Sequence, residues 1–289
     1  MRARAFCPGH VTGFFEICKG EDFLSSGSRG AGLCTSLGAT SEVEMVESRK
    51  RRIEVRIDGI LRDAEATIGT INRLTANRNL SISVSTALDL PESQGFGMSA
   101  AGALSAGLAL CEILGLARSN AFEAAHSAEI ENRTGMGDVP AIHRGGVTIR
   151  EIAGLPPRGL VHRIEGNPNV VLAVVGESLK TAGVLDNPEF VSRVNKEGRN
   201  RVSELLGQPS IENLMRLSAS FAEDTGLASS DVRAAMESAS SIGPASMAML
   251  GNSVFAIGPT DELVSALSDH GKTFVAAVDT EGARLLPGR

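Results

Sequence analysis

The sequence has no tryptophan and no tyrosine, and its only large aromatic side chains are ten phenylalanines. Aromatic cages and base-stacking platforms would have to be built from Phe alone. Cysteine is scarce: Cys7, Cys18, Cys34 and Cys111 form no C-x-x-C pair and have no histidine at ligand spacing. That pattern argues against a zinc site or a redox dithiol and leads us to expect reduced thiols in a cytoplasmic protein. A basic surplus is missing too. The net charge of -6 and pI near 5.5 argue against nucleic acid as the main partner, because phosphate contacts need a basic surface. The one basic cluster, Arg49, Lys50, Arg51 and Arg52, runs into the alternating Ile53, Val55 and Ile57 and reads as the solvated start of a strand. Long hydrophobic runs are also lacking. Residues 1–10 carry two arginines with no apolar stretch behind them, so no signal peptide is expected. The most apolar segment, 100–117, contains Ser105, Glu112 and three glycines and reads as a buried helix rather than a membrane span.

What is present suits a globular chain of one large or two modest domains: 289 residues, 42% hydrophobic and 21% charged. No repeat or low-complexity tract interrupts it. A short strand is expected near 3–6, a Gly/Ser-rich loop at 25–32, a strand at 52–58 and another through Leu80, Ile82 and Val84. Ile68, Ile71 and Leu74 recur at helical spacing. Helices follow at 98–116 and 119–132, the second capped by Ser119 or Asn120, and a strand at 146–152 closes the first half. Pro156, Pro157 and Gly159 mark the passage, giving expected domains at 1–155 and 156–289. The second half reads as a strand at 170–175, helices at 189–206, 210–224 and 229–240, and strands at 246–250 and 253–257. Gly251-Asn252 gives the last two a two-residue hairpin spacing. A helix at 261–269 and a strand at 274–278 end the chain. This order resembles an elaborated ferredoxin-like split βαβ, so both halves are α+β.

The most informative segment is Pro91-Glu92-Ser93-Gln94-Gly95-Phe96-Gly97-Met98-Ser99-Ala100-Ala101-Gly102. It follows a strand and opens a small-residue helix, where glycines and a helix N-terminus together suit an anion such as phosphate. A tight strand-to-helix turn is the plainer alternative. Gly95-x-Gly97-x-x-Ala100 imitates a dinucleotide fingerprint, but a second helix follows where a strand should. Gly97-Met98-Ser99-Ala100-Ala101 imitates a nucleophile elbow without its closing glycine, and no Walker-type P-loop occurs.

The segment resembles the second signature of the GHMP kinases, Pro-x-x-x-Gly-Leu-Gly-Ser-Ser-Ala-Ala. Phe96 and Met98 replace the usual Leu and first Ser, and Ser99 keeps the second. Cys7-Pro8-Gly9-His10-Val11-Thr12-Gly13-Phe14-Phe15-Glu16 is similar to the first signature, with His10 where many relatives carry Lys or Arg. Of the third, a multi-glycine run, only Gly251 remains in residues 249–256. The resemblance spans nearly the whole chain. It implies a two-part α+β fold: an N-terminal α/β part with a left-handed βαβ-type phosphate-binding unit, and a C-terminal ferredoxin-like part. It implies ATP and Mg2+, with Pro91, Gly95, Gly97, Met98, Ser99 and Ala100 at the nucleotide. Ser99 and Glu129 would hold the metal, and Asp138 in Thr134-Gly135-Met136-Gly137-Asp138 would face the acceptor hydroxyl.

Within that superfamily the chain is most similar to the archaeal pantoate kinases, through residues 8–15, 27–32, 93–99 and 134–139. Pantoate is therefore the implied small-molecule partner, with no nucleic acid, no membrane, and a homodimer left open. His10, Ser28, Arg29, His126, Arg150 and Thr181 are the expected substrate residues. Gly27–Gly32 reads either as an anion site or as a surface loop, Arg150 as a carboxylate clamp or a surface Arg, and His126 as a site or a structural residue. His143, His162 and His270 are read as surface or core residues. Another acceptor (homoserine, mevalonate or a sugar) and a catalytically silent ligand-binding relative stand as alternatives.

Overall fold

The computed structural model describes residues 1–76, 78–178 and 188–287. Its first sheet is built on two long strands, β1 (Arg2–Cys18) and β2 (Gly27–Glu47), paired antiparallel over nearly their whole length. The short strand expected near 3–6 is thus only the start of β1. Register shifts at Pro8/Gly9 and between Thr12 and Phe14 bend the pair, as bulges do.

The Gly/Ser-rich stretch expected as a loop at 25–32 is strand from Gly27 onward. Residues 30–33 pair with β1 on one edge and with β6 (Val147–Ile152) on the other. The amides of residues 30–33 are committed to two ladders, so these N–H groups do not form an anion site. Farther along β2, residues 39–47 pair antiparallel with β5 (Leu80–Leu88), which pairs in parallel with β3 (Arg52–Ile57), itself in a hairpin with β4 (Ile60–Leu61). β7 (Leu160–Ile164) extends the sheet from β6, and β12 (Arg284–Leu286) returns from the far end of the chain to pair with β1.

Helices α1 (Glu65–Thr75), α2 (Met98–Leu114), α3 (Arg118–Asn132) and α4 (Asp138–Arg144) cover this sheet. The small and apolar residues of α2 bury it on almost every side, as an evenly apolar helix requires. Its Ser105 hydroxyl pairs with Ser41 at 2.7 Å, and Ser41 with Thr86 at 2.8 Å. α3 starts after Ala117 with no side-chain cap, because Ser119 and Asn120 already lie inside its first turn.

The second sheet contains β8 (Asn169–Val174), β9 (Ala245–Met247), β10 (Ser253–Ala256) and β11 (Lys272–Ala277), all antiparallel in the order β11-β8-β10-β9. In chain order that is 4-1-3-2, the ferredoxin-like arrangement. Helices α5 (Pro188–Gly207), α6 (Ile211–Thr225) and α7 (Ser230–Ser240) fall between its first two strands, and α8 (Thr260–Ser268) between its last two. Ser210 and Ser229 cap α6 and α7 through their hydroxyls. The β9–β10 connection is five residues, 248–252, rather than a two-residue hairpin. Pro156, Pro157 and Gly159 turn between β6 and β7, and the chain changes sheets only at 165–168.

Helices α5 and α6 pack on β1, and β11 of the second sheet meets β2 of the first. Gly198 of α5 sits where a Cβ would lie 2.0 Å from the Phe15 carbonyl oxygen, so only glycine allows that approach. The Phe221 ring packs at 6.3 Å from that of Phe14 and 5.9 Å from that of Phe15. No helix among the described residues is long and apolar enough to cross a membrane.

Candidate active site

A cleft of about 460 Å³ opens where the turn after β5 leads into α2. In that turn Ser93, Gly95 and Gly97 all have left-handed backbones, with φ of 58°, 77° and 66°. Gly97 is the N-cap of α2 and no side chain caps the helix, so its first amides face the cleft with the positive end of the helix dipole. A Cβ on Gly95 would lie 2.8 Å from the Met249 carbonyl oxygen and 2.9 Å from that of Ala248. Glycine is therefore needed twice over, for its φ and for space.

Strand β1 and the 248–252 loop hold the turn in place. The His10 amide donates to the Phe96 carbonyl at 2.9 Å, and the Met249 amide to the Thr12 carbonyl at 3.0 Å. Gln94, which the motif reading left without a role, ties three segments together. Its amide nitrogen donates to the Gly176 carbonyl at 3.0 Å, and its side-chain oxygen accepts from the Asn252 amide at 3.2 Å. Gly251 lies flat on this backbone, where a Cβ would come within 2.1 Å of the Gln94 carbonyl carbon. The third glycine motif keeps one glycine because one backbone-on-backbone contact needs it.

Across the cleft, α3 carries Glu129 and the 133–137 turn leads to Asp138 at the start of α4. Glu129 is buried, accepts from the Thr134 hydroxyl at 3.0 Å, and is hydrogen-bonded to Ser99. Burial first, and the Asp138 charge second, push its carboxyl up to about 8. Gly135 leaves room for it: a Cβ there would lie 2.5 Å from Glu129 Oε2. Such a pair of oxygen donors fits a hard cation that keeps waters and takes phosphate oxygens, and a cation would ionise the carboxyl. Among the described residues no cluster of three or more His, Cys, Asp or Glu side chains forms a self-sufficient metal site.

His10 Nδ1 lies 2.7 Å from Asp138 Oδ1. Behind it, Arg150 is fully buried; its Nε donates to the Ser28 carbonyl at 3.3 Å, its Nη1 lies 3.5 Å from His10 Nε2, and its Nη2 has no partner. Burial brings its guanidinium down to about 10. Two glycines make room for this arginine: Cβ atoms at Gly30 and Gly137 would lie 2.9 and 2.7 Å from its Nη2 and Nε.

The structure thus brings Gly95, Gly97, Met98, Ser99, Asp138 and Ser28 onto one cleft, with Glu129, His10 and Arg150 directly beneath. Pro91 is exposed at the start of the turn and Ala100 is buried in α2, neither of them on the cleft wall. Arg29 points elsewhere, because neighbours on a strand face opposite ways: its Nε donates to the Glu151 carbonyl at 2.7 Å and its Nη1 to Glu16 at 3.1 Å. His126 is buried with Nε2 3.0 Å from the Ser26 carbonyl oxygen, fixing the segment that enters β2. Thr181 lies outside the described residues. Sequence reading missed Ile57, residues 63–67, Thr86 and Leu88, which form the far end of the cleft. They carry no motif, and only folding gathers them.

Comparison with known proteins accords with this geometry. The family model described as GHMP kinases N terminal domain matches residues 64–146. Two curated archaeal proteins align along nearly the whole chain. One, from Methanocaldococcus jannaschii, is 33% identical over 267 residues, covering 91% of this chain and 95% of the relative. The other, from Thermococcus kodakarensis, is 34% identical over 293 residues, covering 97% of each. The chain belongs to the GHMP kinases, which use ATP as phosphate donor. Both of those relatives are named pantoate kinase. A solved structure described as a phosphotransferase related to the CoA biosynthesis pathway superposes with a TM-score of 0.90 at 31% identity, covering 99% of both chains.

Proposed function

We propose that this protein transfers the γ-phosphoryl group of ATP to the 4-hydroxyl of pantoate, supplying 4-phosphopantoate to coenzyme A biosynthesis. The observation that carries the choice of acceptor is the buried Arg150, which donates to the carbonyl of the cleft residue Ser28 at 3.3 Å and so sets a positive charge behind that wall. A carboxylate-bearing acceptor held at Ser28 would be drawn by that charge. Kinship with the pantoate kinases supports the same choice.

The N-terminal amides of α2 and the glycine turn bind the phosphates. Ser99 and Glu129 would hold Mg2+, which neutralises phosphate charge when bound. Asp138 orients the acceptor hydroxyl and takes its proton, while Ser28 and Arg150 fix the acceptor's carboxylate end. His126 contributes by holding the backbone before β2 in place. Phosphoryl transfer asks mainly for positioning and charge compensation, which this set supplies. A cytoplasmic location accords with the need for ATP and with four cysteines in no disulfide.

ADP release from Mg-ATP, measured with pantoate, homoserine, mevalonate and galactose, tests the assignment. Pantoate should stimulate it far above the others, with a new phosphomonoester in the product. Equal turnover of homoserine or mevalonate would overturn the acceptor.

A further inference from the structure

His10 stands at a junction of the site. Its amide holds the phosphate turn at Phe96, one ring nitrogen meets Asp138 from α4, and the other faces Arg150 from β6. The ring is wholly buried. Its two charged neighbours make opposite demands. A guanidinium offers only N–H donors, and an ionised carboxylate only lone pairs. A neutral imidazole has one donor and one acceptor, so a single arrangement serves both neighbours, with the proton on Nδ1 and the lone pair of Nε2 toward Arg150. The other tautomer would set N–H against N–H on one side and lone pair against carboxylate on the other. A doubly protonated ring would bury a second cation beside Arg150. Burial, aided by Arg150 and opposed by Asp138, holds the ring's pKa below the ordinary histidine value.

We propose that His10 is a positioning residue for phosphoryl transfer: locked as the Nδ1–H tautomer between Arg150 and Asp138, it occupies Asp138 Oδ1 and leaves Oδ2 to the acceptor hydroxyl. The ring gives the carboxylate a fixed donor without adding charge, so Asp138 keeps both its orientation and its negative charge. Packing completes the lock, since a Cβ at Gly97 would lie 3.3 Å from Asp138 Cγ and 3.1 Å from the His10 carbonyl oxygen. This inference rests on the reading of Asp138 as the group facing the acceptor.

Two experiments test it. Nitrogen-15 NMR of histidine-labelled protein reports the protonation of each ring nitrogen, and the His10 signals are those perturbed by Asp138→Asn. At neutral pH Nδ1 should be protonated and Nε2 bare; a protonated Nε2 overturns the proposal. His10→Asn and His10→Gln separate the two ends of the ring, because an Asn amide reaches the Nδ1 position and can still donate to Asp138, whereas a Gln amide reaches toward Nε2. His10→Gln should lower kcat by about 10- to 100-fold, the usual cost of losing a hydrogen bond to a charged group, with little change in KM for Mg-ATP. His10→Asn should restore most of that loss. If Gln is as active as Asn in proteins of equal melting temperature, His10 does not act through Asp138. Should pantoate fail as acceptor in the unaltered protein, only the acceptor assignment falls, since the NMR result still decides the tautomer.

Discussion

Two glycine-rich stretches read alike in this chain, residues 27–32 and residues 95–102, yet they do opposite work. The second is an open turn whose left-handed glycines and uncapped helix start leave backbone amides facing the cleft. The first is a strand with partners on both edges at Gly30. Gly30 and Gly32 give up no amide to a ligand; they clear space for side chains, with Cβ atoms placed 2.9 Å from Arg150 Nη2 and His10 Nε2. Composition is silent on which role a glycine has. The difference comes from neighbouring strands, which consume amides in one place and are missing in the other.

The largest effect should come from the carboxylate between these stretches. Asp138→Asn should lower kcat by about 10²–10⁴, the usual worth of general-base assistance, with KM for ATP nearly constant. A variant that keeps most of its kcat would remove Asp138 from the chemistry.

Alanine at one glycine of each stretch separates the two roles. Gly30→Ala drives a Cβ to within 2.3 Å of the Phe14 carbonyl oxygen, so β1 and β2 must part. It should destabilise the protein by about 1–3 kcal/mol or more, read as a fall in Tm. At Gly97 the nearest atoms are 3.1–3.3 Å away, and φ is 66°. Gly97→Ala should cost on the order of 1 kcal/mol in stability but raise KM for Mg-ATP on the order of tenfold, because the amides at the helix start shift. Equal loss of Tm with no change in KM for either variant would erase the contrast.

The site's electrostatics give a smaller, pH-dependent effect. With Glu129 raised to about 8, the folded chain between pH 4.5 and 8 holds a proton that the unfolded chain has lost. Without metal and nucleotide, Tm should therefore fall as pH rises through that window, and Glu129→Gln should flatten the slope. Mg-ATP should flatten it, since a bound cation keeps the carboxyl ionised in the folded chain as it is in the unfolded one. A metal-free Tm that climbs toward pH 8 would contradict the buried neutral carboxyl.

The smallest change is expected at Arg29. Arg29→Ala leaves Glu16 with Arg199 alone, so Tm should drop slightly while KM for pantoate stays put. A large rise in KM would return Arg29 to the acceptor site.

The sequence by itself determined most of the helices, the order of elements in the second half and the glycine turn that opens α2. Helical periodicity, small residues after Gly97 and a carboxylate in the turn at 135–138 are local features that survive without knowledge of neighbours. It also singled out Ser99, Glu129 and Asp138, because their spacing lies within motifs, and the fold gathers them at one cleft. Tertiary structure alone decided the rest. It made a strand of residues 27–32, turned Arg29 outward while burying Arg150, gave Gln94 three segments to join, and assembled the far end of the cleft from Ile57, Thr86 and Leu88. Each of these depends on pairing across many residues of chain, and the energy of such pairing comes from partners that no local pattern records.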